Sequence, residues 1–134
     1  MVGTKGLKGL KEWWLQADYD YETAEVLFNT GRYIYCVFFC HLAVEKVLKG
    51  IWEEKFKSIP PNPHDLVYLA KKLELNLPNE LREFLTFLNR LSVPTRYPET
   101  LKGLLDLLNK FQTYQILTKT QEILEWIKKN IKKS

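Results

Sequence analysis

Tyr33-Ile34-Tyr35-Cys36-Val37-Phe38-Phe39-Cys40-His41-Leu42-Ala43-Val44-Glu45-Lys46-Val47-Leu48-Lys49 is the stretch on which the reading of the whole chain turns. It is apolar almost without a break from Ile34 to Val44 and then becomes polar. Periodicity alone would also allow a buried strand. Its length, and the continuation from Lys46 to Glu53 at helical spacing, predict a helix over about Tyr33–Lys57. A helix that is apolar on several sides belongs at the centre of a bundle or in a subunit interface. Charge on such a helix is unfavourable unless it is paired or used. Glu45, Lys46 and Lys49, with His41 one turn earlier, are therefore the first functional candidates.

The flanks read as helices too. Over Lys11–Asn29, Trp14, Ala17, Tyr21, Ala24 and Phe28 recur at spacings of three and four, with Asp18, Asp20, Glu22 and Glu25 expected off that seam. Thr30-Gly31 ends this helix. Ile59-Pro60-Pro61-Asn62-Pro63 is a break. His64-Asp65-Leu66 opens a short helix, with Asp65 at its positive end and Asn62 as a candidate cap. A fourth helix spans about Glu80–Leu91, its apolar face made of Leu81, Phe84, Leu85 and Leu88. Ser92–Glu99, with Pro94 and Pro98, is expected to be a loop. Leu101–Lys110 holds one or two helical turns. A last helix over about Thr113–Lys132 turns Ile116, Ile123, Leu124 and Ile127 inward. The expected fold is all-α: an up-and-down helical bundle of two or three long helices plus several short ones.

Composition bounds the function. The chain has 134 residues, of which 46% are hydrophobic and 27% charged, which suits one globular domain over residues 1–134. The first ten residues lack the apolar core of a signal peptide, and the Tyr33–Val44 run is shorter than the roughly 20 residues that span a bilayer. A soluble, cytoplasmic protein is expected. The only cysteines, Cys36 and Cys40, lie four apart on one helix and are read as reduced core residues. With only His41 and His64 as histidines, no metal site is expected, and no cofactor. The net charge of +4 owes much to Lys128, Lys129, Lys132 and Lys133. A lysine-rich last turn complements the helix dipole, an alternative to a nucleic-acid tail.

His41, Glu45 and Lys49 are spaced i, i+4, i+8 and form one stripe, with Lys46 beside it. The lysines suit a phosphate, with Glu45 setting their orientation. The plainer reading is an ordinary Glu45–Lys49 helix-face pair. In Thr95-Arg96-Tyr97-Pro98 a stiffened loop offers a guanidinium fork for phosphate and a ring for a base. The plainer reading there has Tyr97 packed on the bundle and Arg96 paired with Asp18 or Glu45. Together these residues predict one polar groove holding Arg96, Tyr97, Lys46, Lys49, Glu45 and His41. Surplus apolar surface on the second helix, with Trp13, Tyr35 and Trp52 near the surface, predicts a homodimer.

These segments carry a family resemblance. They are Trp14, Ala17, Asp18, Tyr21, Ala24 and Leu27, then Gly31-Arg32-Tyr33, Cys40-His41 through Lys49-Gly50, His64-Asp65-Leu66, and Pro94-Thr95-Arg96-Tyr97-Pro98. In that order the chain resembles a HEPN domain (higher eukaryotes and prokaryotes nucleotide-binding), of the type associated with minimal nucleotidyltransferases. The resemblance implies a helical bundle that commonly dimerises. It also implies pairing with a separate nucleotidyltransferase, sometimes as a toxin–antitoxin couple. Many such domains are ribonucleases with an Arg and a His four to six residues apart. No histidine stands at that spacing after Arg32, Arg82, Arg90 or Arg96. The expectation is a binding module for a nucleotide or RNA phosphate. The alternative is a metal-independent ribonuclease with an unconventional site, using His41 or His64 with Arg96.

Overall fold

The computed structural model describes residues 6–61 and 64–131. Among these there are seven helices and no strand: α1 (Leu10–Asn29), α2 (Tyr33–Phe56), α3 (Leu66–Lys72), α4 (Asn79–Arg90), α5 (Ser92–Arg96), α6 (Leu101–Leu107) and α7 (Lys110–Ile131). The expected all-α class is what the chain adopts. Among the described residues no helix is long and apolar enough to cross a membrane. Asn62, Lys132, Lys133 and the first five residues lie outside the described residues, so the candidate cap at Asn62 and the two last lysines stay as sequence readings.

The central helix is α2. Cys36, Val37, Cys40, Ala43, Val44, Val47 and Leu48 are fully buried, and α1, α3, α5, α6 and α7 all pack on it. An apolar helix surrounded by others removes its surface from water on every side. Both cysteines are free and buried. With α1, α2 forms an antiparallel hairpin that turns at Gly31, whose φ of 80° is the left-handed conformation glycine adopts without strain. The core is completed by Leu66 and Leu69 of α3, Leu85 and Leu88 of α4, Leu104 of α6, and Ile123 and Ile127 of α7.

Two tethers set the hairpin register. Gly9, the N-cap of α1, has no side chain to cap with, and the buried carboxylate of Glu53 accepts its N–H at 2.8 Å. A negative charge there also faces the positive end of α1. One turn earlier on α2, Gly50 lets the helices close up. A Cβ at that position would stand 2.9 Å from the Trp13 Cβ and 3.2 Å from the Trp14 ring. Gly50→Ala is therefore expected to destabilise the protein by about 1–2 kcal/mol, because overpacking outweighs the gain in helix propensity. Denaturant unfolding measures this, and a stabilised variant would show that the helices separate freely.

Three expectations need correction. Ser92–Arg96 is a short helix, not a loop, because Pro94 falls in the first turn, where a missing N–H leaves no bond unmade. Asp20 lies on the buried face of α1 between Ala17 and Ala24, not off the seam, and is only 6% exposed. Finally, α7 begins at Lys110, three residues early, with the Asn109 side chain accepting the Gln112 N–H at 2.9 Å. Lys128, in its last turn, pairs with Asp18 and lies over the Trp14 ring.

Candidate functional site

Phe38, His41, Glu45 and Lys49 share one face of α2, and α3 and α5 both pack on this helix. The approach of α3 is fixed by hydrogen bonds. Asp65 caps it by accepting the Tyr68 N–H at 3.0 Å. Asn89, at the end of α4, donates to Asp65 at 3.0 Å and accepts the Leu66 N–H at 2.8 Å. This clamp holds His64 over α2, where its Nδ1 sits 3.0 Å from both carboxylate oxygens of Glu45.

Glu45 is 2% exposed and also receives Lys49 Nζ at 2.8 Å. Burial alone would raise its pKa. The hydrogen bonds and charges of Lys49 and His64 outweigh that and hold the carboxyl below its usual range. The i, i+4 contact is thus no ordinary surface pair: it is buried and closed by a third residue from another segment.

His41 lies deeper, fully buried, with its Nδ1 3.7 Å from Glu45 and neither ring nitrogen in a well-formed hydrogen bond. Burial pushes its pKa down to about 4. The Glu45 charge opposes that shift, and Arg96 and His64 add to it. A ring that is neutral and closed off from solvent is a poor acid or base for a substrate near pH 7. His64, with about half its side chain exposed, is the accessible imidazole.

Arg96 belongs to α5. Its guanidinium stacks over Phe38 at 4.7 Å, and Nη1 donates to the Ser92 carbonyl at 3.0 Å and hydroxyl at 2.8 Å. Among the described residues it pairs with no acid, neither Asp18 nor Glu45. Its charge still reaches His41.

Arg96, His41, Glu45 and Lys49 are therefore brought together, but the other two candidates are not. Lys46, one residue round the helix, points to α1 and pairs with Asp20 at 2.9 Å. Tyr97 is 78% exposed and faces away with Val93 and Pro98. Nothing in the sequence singles out Asn89, Ser92 or Phe38. The one hint is Asp65, a cap whose second partner has to come from elsewhere. Among the described residues no cluster of three or more metal-binding side chains occurs.

The HEPN domain family matches this chain over residues 10–131. No curated protein matches it. Among solved structures, ST0689, described as an archaeal HEPN homologue, is 24% identical, with a TM-score of 0.75 over 93% of this chain and 99% of that one. TT1696 from Thermus thermophilus is 22% identical, with a TM-score of 0.77 over 90% of this chain and 96% of that one. At such identities the two structures speak for the shared fold, and it is the family match over nearly the full length that establishes kinship: the chain belongs to the HEPN domain family.

Proposed function

We propose that the protein is a dimeric HEPN-type module that binds a nucleotide or RNA phosphate without cleaving it and acts with a separate nucleotidyltransferase chain, as in a toxin–antitoxin-like pair. The observation that carries the reading is the guanidinium of Arg96, which pairs with no acid among the described residues and is held in place by Phe38 and Ser92. Pre-positioned forks of this kind suit phosphate oxygens. Lys49 and the half-exposed ring of His64 lie along the same face of α2. The nucleotidyltransferase partner rests on the family resemblance, and the dimer on exposed apolar side chains such as Tyr35. Trp13 and Trp52, expected to add to that surface, are half buried.

A ribonuclease reading draws on one feature, the half-exposed His64 ring oriented by a buried carboxylate. Catalysis needs His64 and Arg96 on the same phosphate. They sit over Glu45 and Phe38, positions about 10 Å apart along α2 at 1.5 Å per residue. That spacing favours gripping over cleaving.

Calorimetric titration with mononucleotides and short single-stranded RNA tests the proposal. Arg96→Ala is expected to weaken binding by about 1.5–3 kcal/mol, the range for a hydrogen bond to a charged group. Equal binding by both proteins would leave Arg96 as a clasp for α5. RNA cleavage that disappears in His64→Ala would replace this reading with the ribonuclease.

A further inference from the structure

The outer face of α1 carries a pattern that its packing on α2 does not need. Glu12, Leu15, Tyr19, Glu22, Val26 and Asn29 follow one another at steps of three, four, three, four and three, and all of them are exposed. That is the spacing of a coiled-coil seam, the stripe that one helix offers to another. Leu15, Tyr19 and Val26 stand 56%, 72% and 61% exposed. The other sides of α1 are taken by α2 and α7, and among the described residues nothing covers the seam.

Charge indicates what fits it. The helix α1 carries five acids and one base, Lys11, in a chain whose net charge is +4. Glu12 and Glu22 stand in the seam itself. Asp18 and Glu25 flank it on the side where α1 meets α7, and there they line a groove of about 330 Å³ with Glu22 and Glu125. Lys128 pairs with Asp18, but among the described residues Glu22, Glu25 and Glu125 have no cation of their own.

We propose that this face docks a basic amphipathic helix of another protein. The helix lies along α1 with Lys or Arg set against Glu12 and Glu22, and with apolar side chains on Leu15, Tyr19 and Val26. From Glu12 to Val26 the seam runs about 21 Å at 1.5 Å per residue, so about four turns of partner helix cover it. Other occupants fit less well. A second copy docked two-fold would set acid against acid. Nucleic acid and anionic membranes are repelled by the same charges. A neutral apolar helix would take Glu22 out of water without a partner, whereas a cation opposite it supplies one and fixes the register.

Calorimetric titration of the full chain tests this with two synthetic probes of about three heptads, a leucine–lysine amphipathic helix and its leucine–glutamate counterpart. The wild type is expected to bind the lysine peptide saturably and to ignore the glutamate peptide. Glu22→Lys should weaken the lysine peptide about tenfold or more, while Glu83→Lys, the same charge change on exposed α4, should leave it nearly unchanged. Tyr19→Asp is the sharper variant. It adds an acid, so attraction by charge alone would tighten binding, whereas the loss of a seam residue weakens it. Circular dichroism confirms that each variant is folded. No saturable binding, tighter binding by Tyr19→Asp, or equal losses in Glu22→Lys and Glu83→Lys would overturn the proposal. Self-association of the protein alone that disappears in Tyr19→Asp would overturn it too, by giving the face to a second copy.

Discussion

Glu45→Ala is expected to lower the stability of the protein by about 3–5 kcal/mol, the range for removing one partner of a buried ion pair. The carboxylate is nearly inaccessible, and the Lys49 side chain that would be left behind is only 12% exposed. Two partners lose their acceptor at once: Lys49, and the His64 Nδ1 that sits against both carboxylate oxygens. The loss should therefore spread beyond α2. Hydrogen exchange should quicken at the start of α3, where Leu66 and Tyr68 donate to Asn89 and Asp65. Exchanging Glu45 and Lys49 together for leucines should recover most of the loss, because an apolar pair of similar volume leaves no buried charge unpaired. A double-mutant cycle by urea unfolding separates these terms. A loss below about 1 kcal/mol for Glu45→Ala would match an exposed, screened pair and contradict the buried network.

The second large effect is on pH. His41 has a folded pKa of about 4, below its ordinary value of 6.5, because burial disfavours the charged ring. The unfolded chain thus binds more protons between those values, and stability falls as pH falls from 6.5 to 4. Above 6.5 both states are neutral and the contribution is complete. By pH 5 the loss from this residue is about 2 kcal/mol. Glu45 continues the trend at lower pH. Its folded pKa is also depressed, so the stability it adds is present above its unfolded value near 4.5 and is lost as pH drops through the folded one. Charged or titratable groups around His41 are Glu45, His64 and Arg96. His41→Phe should flatten the profile between pH 7 and 5 while leaving the Glu45 phase. A wild type equally stable at pH 7 and pH 5 would show that His41 keeps its proton in the folded state.

Much of the fold is legible because α2 carries its own signal. An apolar run that long, bounded by Gly31 and turning polar at Glu45, has few homes besides the centre of a bundle. The stripe His41, Glu45, Lys49 is legible for the same reason: it depends only on helical spacing. What escapes depends on how helices meet. The partnership of Asp20 with Lys46 needs the register of α1 on α2, which Gly50 and Glu53 set. The clamp by Asn89 needs α4 beside α3. Ser92–Arg96 reads as a loop when proline is weighed by presence alone; its position within the turn decides. His64 is visible as a residue but not as a bridge, since nothing local places it over Glu45.

The Asn89 clamp has a kinetic consequence. The α1–α2 hairpin closes through neighbouring segments and can form early, as local contacts do. The start of α3 has no such independence: its capping Asp65 and the Leu66 N–H are braced by Asn89 from α4, and the docking of His64 needs Glu45 from α2. The set of groups gathered over this face of α2 is therefore complete only once three separate stretches of chain have met. A ligand held there would slow the reopening of α3 more than that of any other helix, which makes the exchange rate of the Leu66 amide a direct reporter of occupancy.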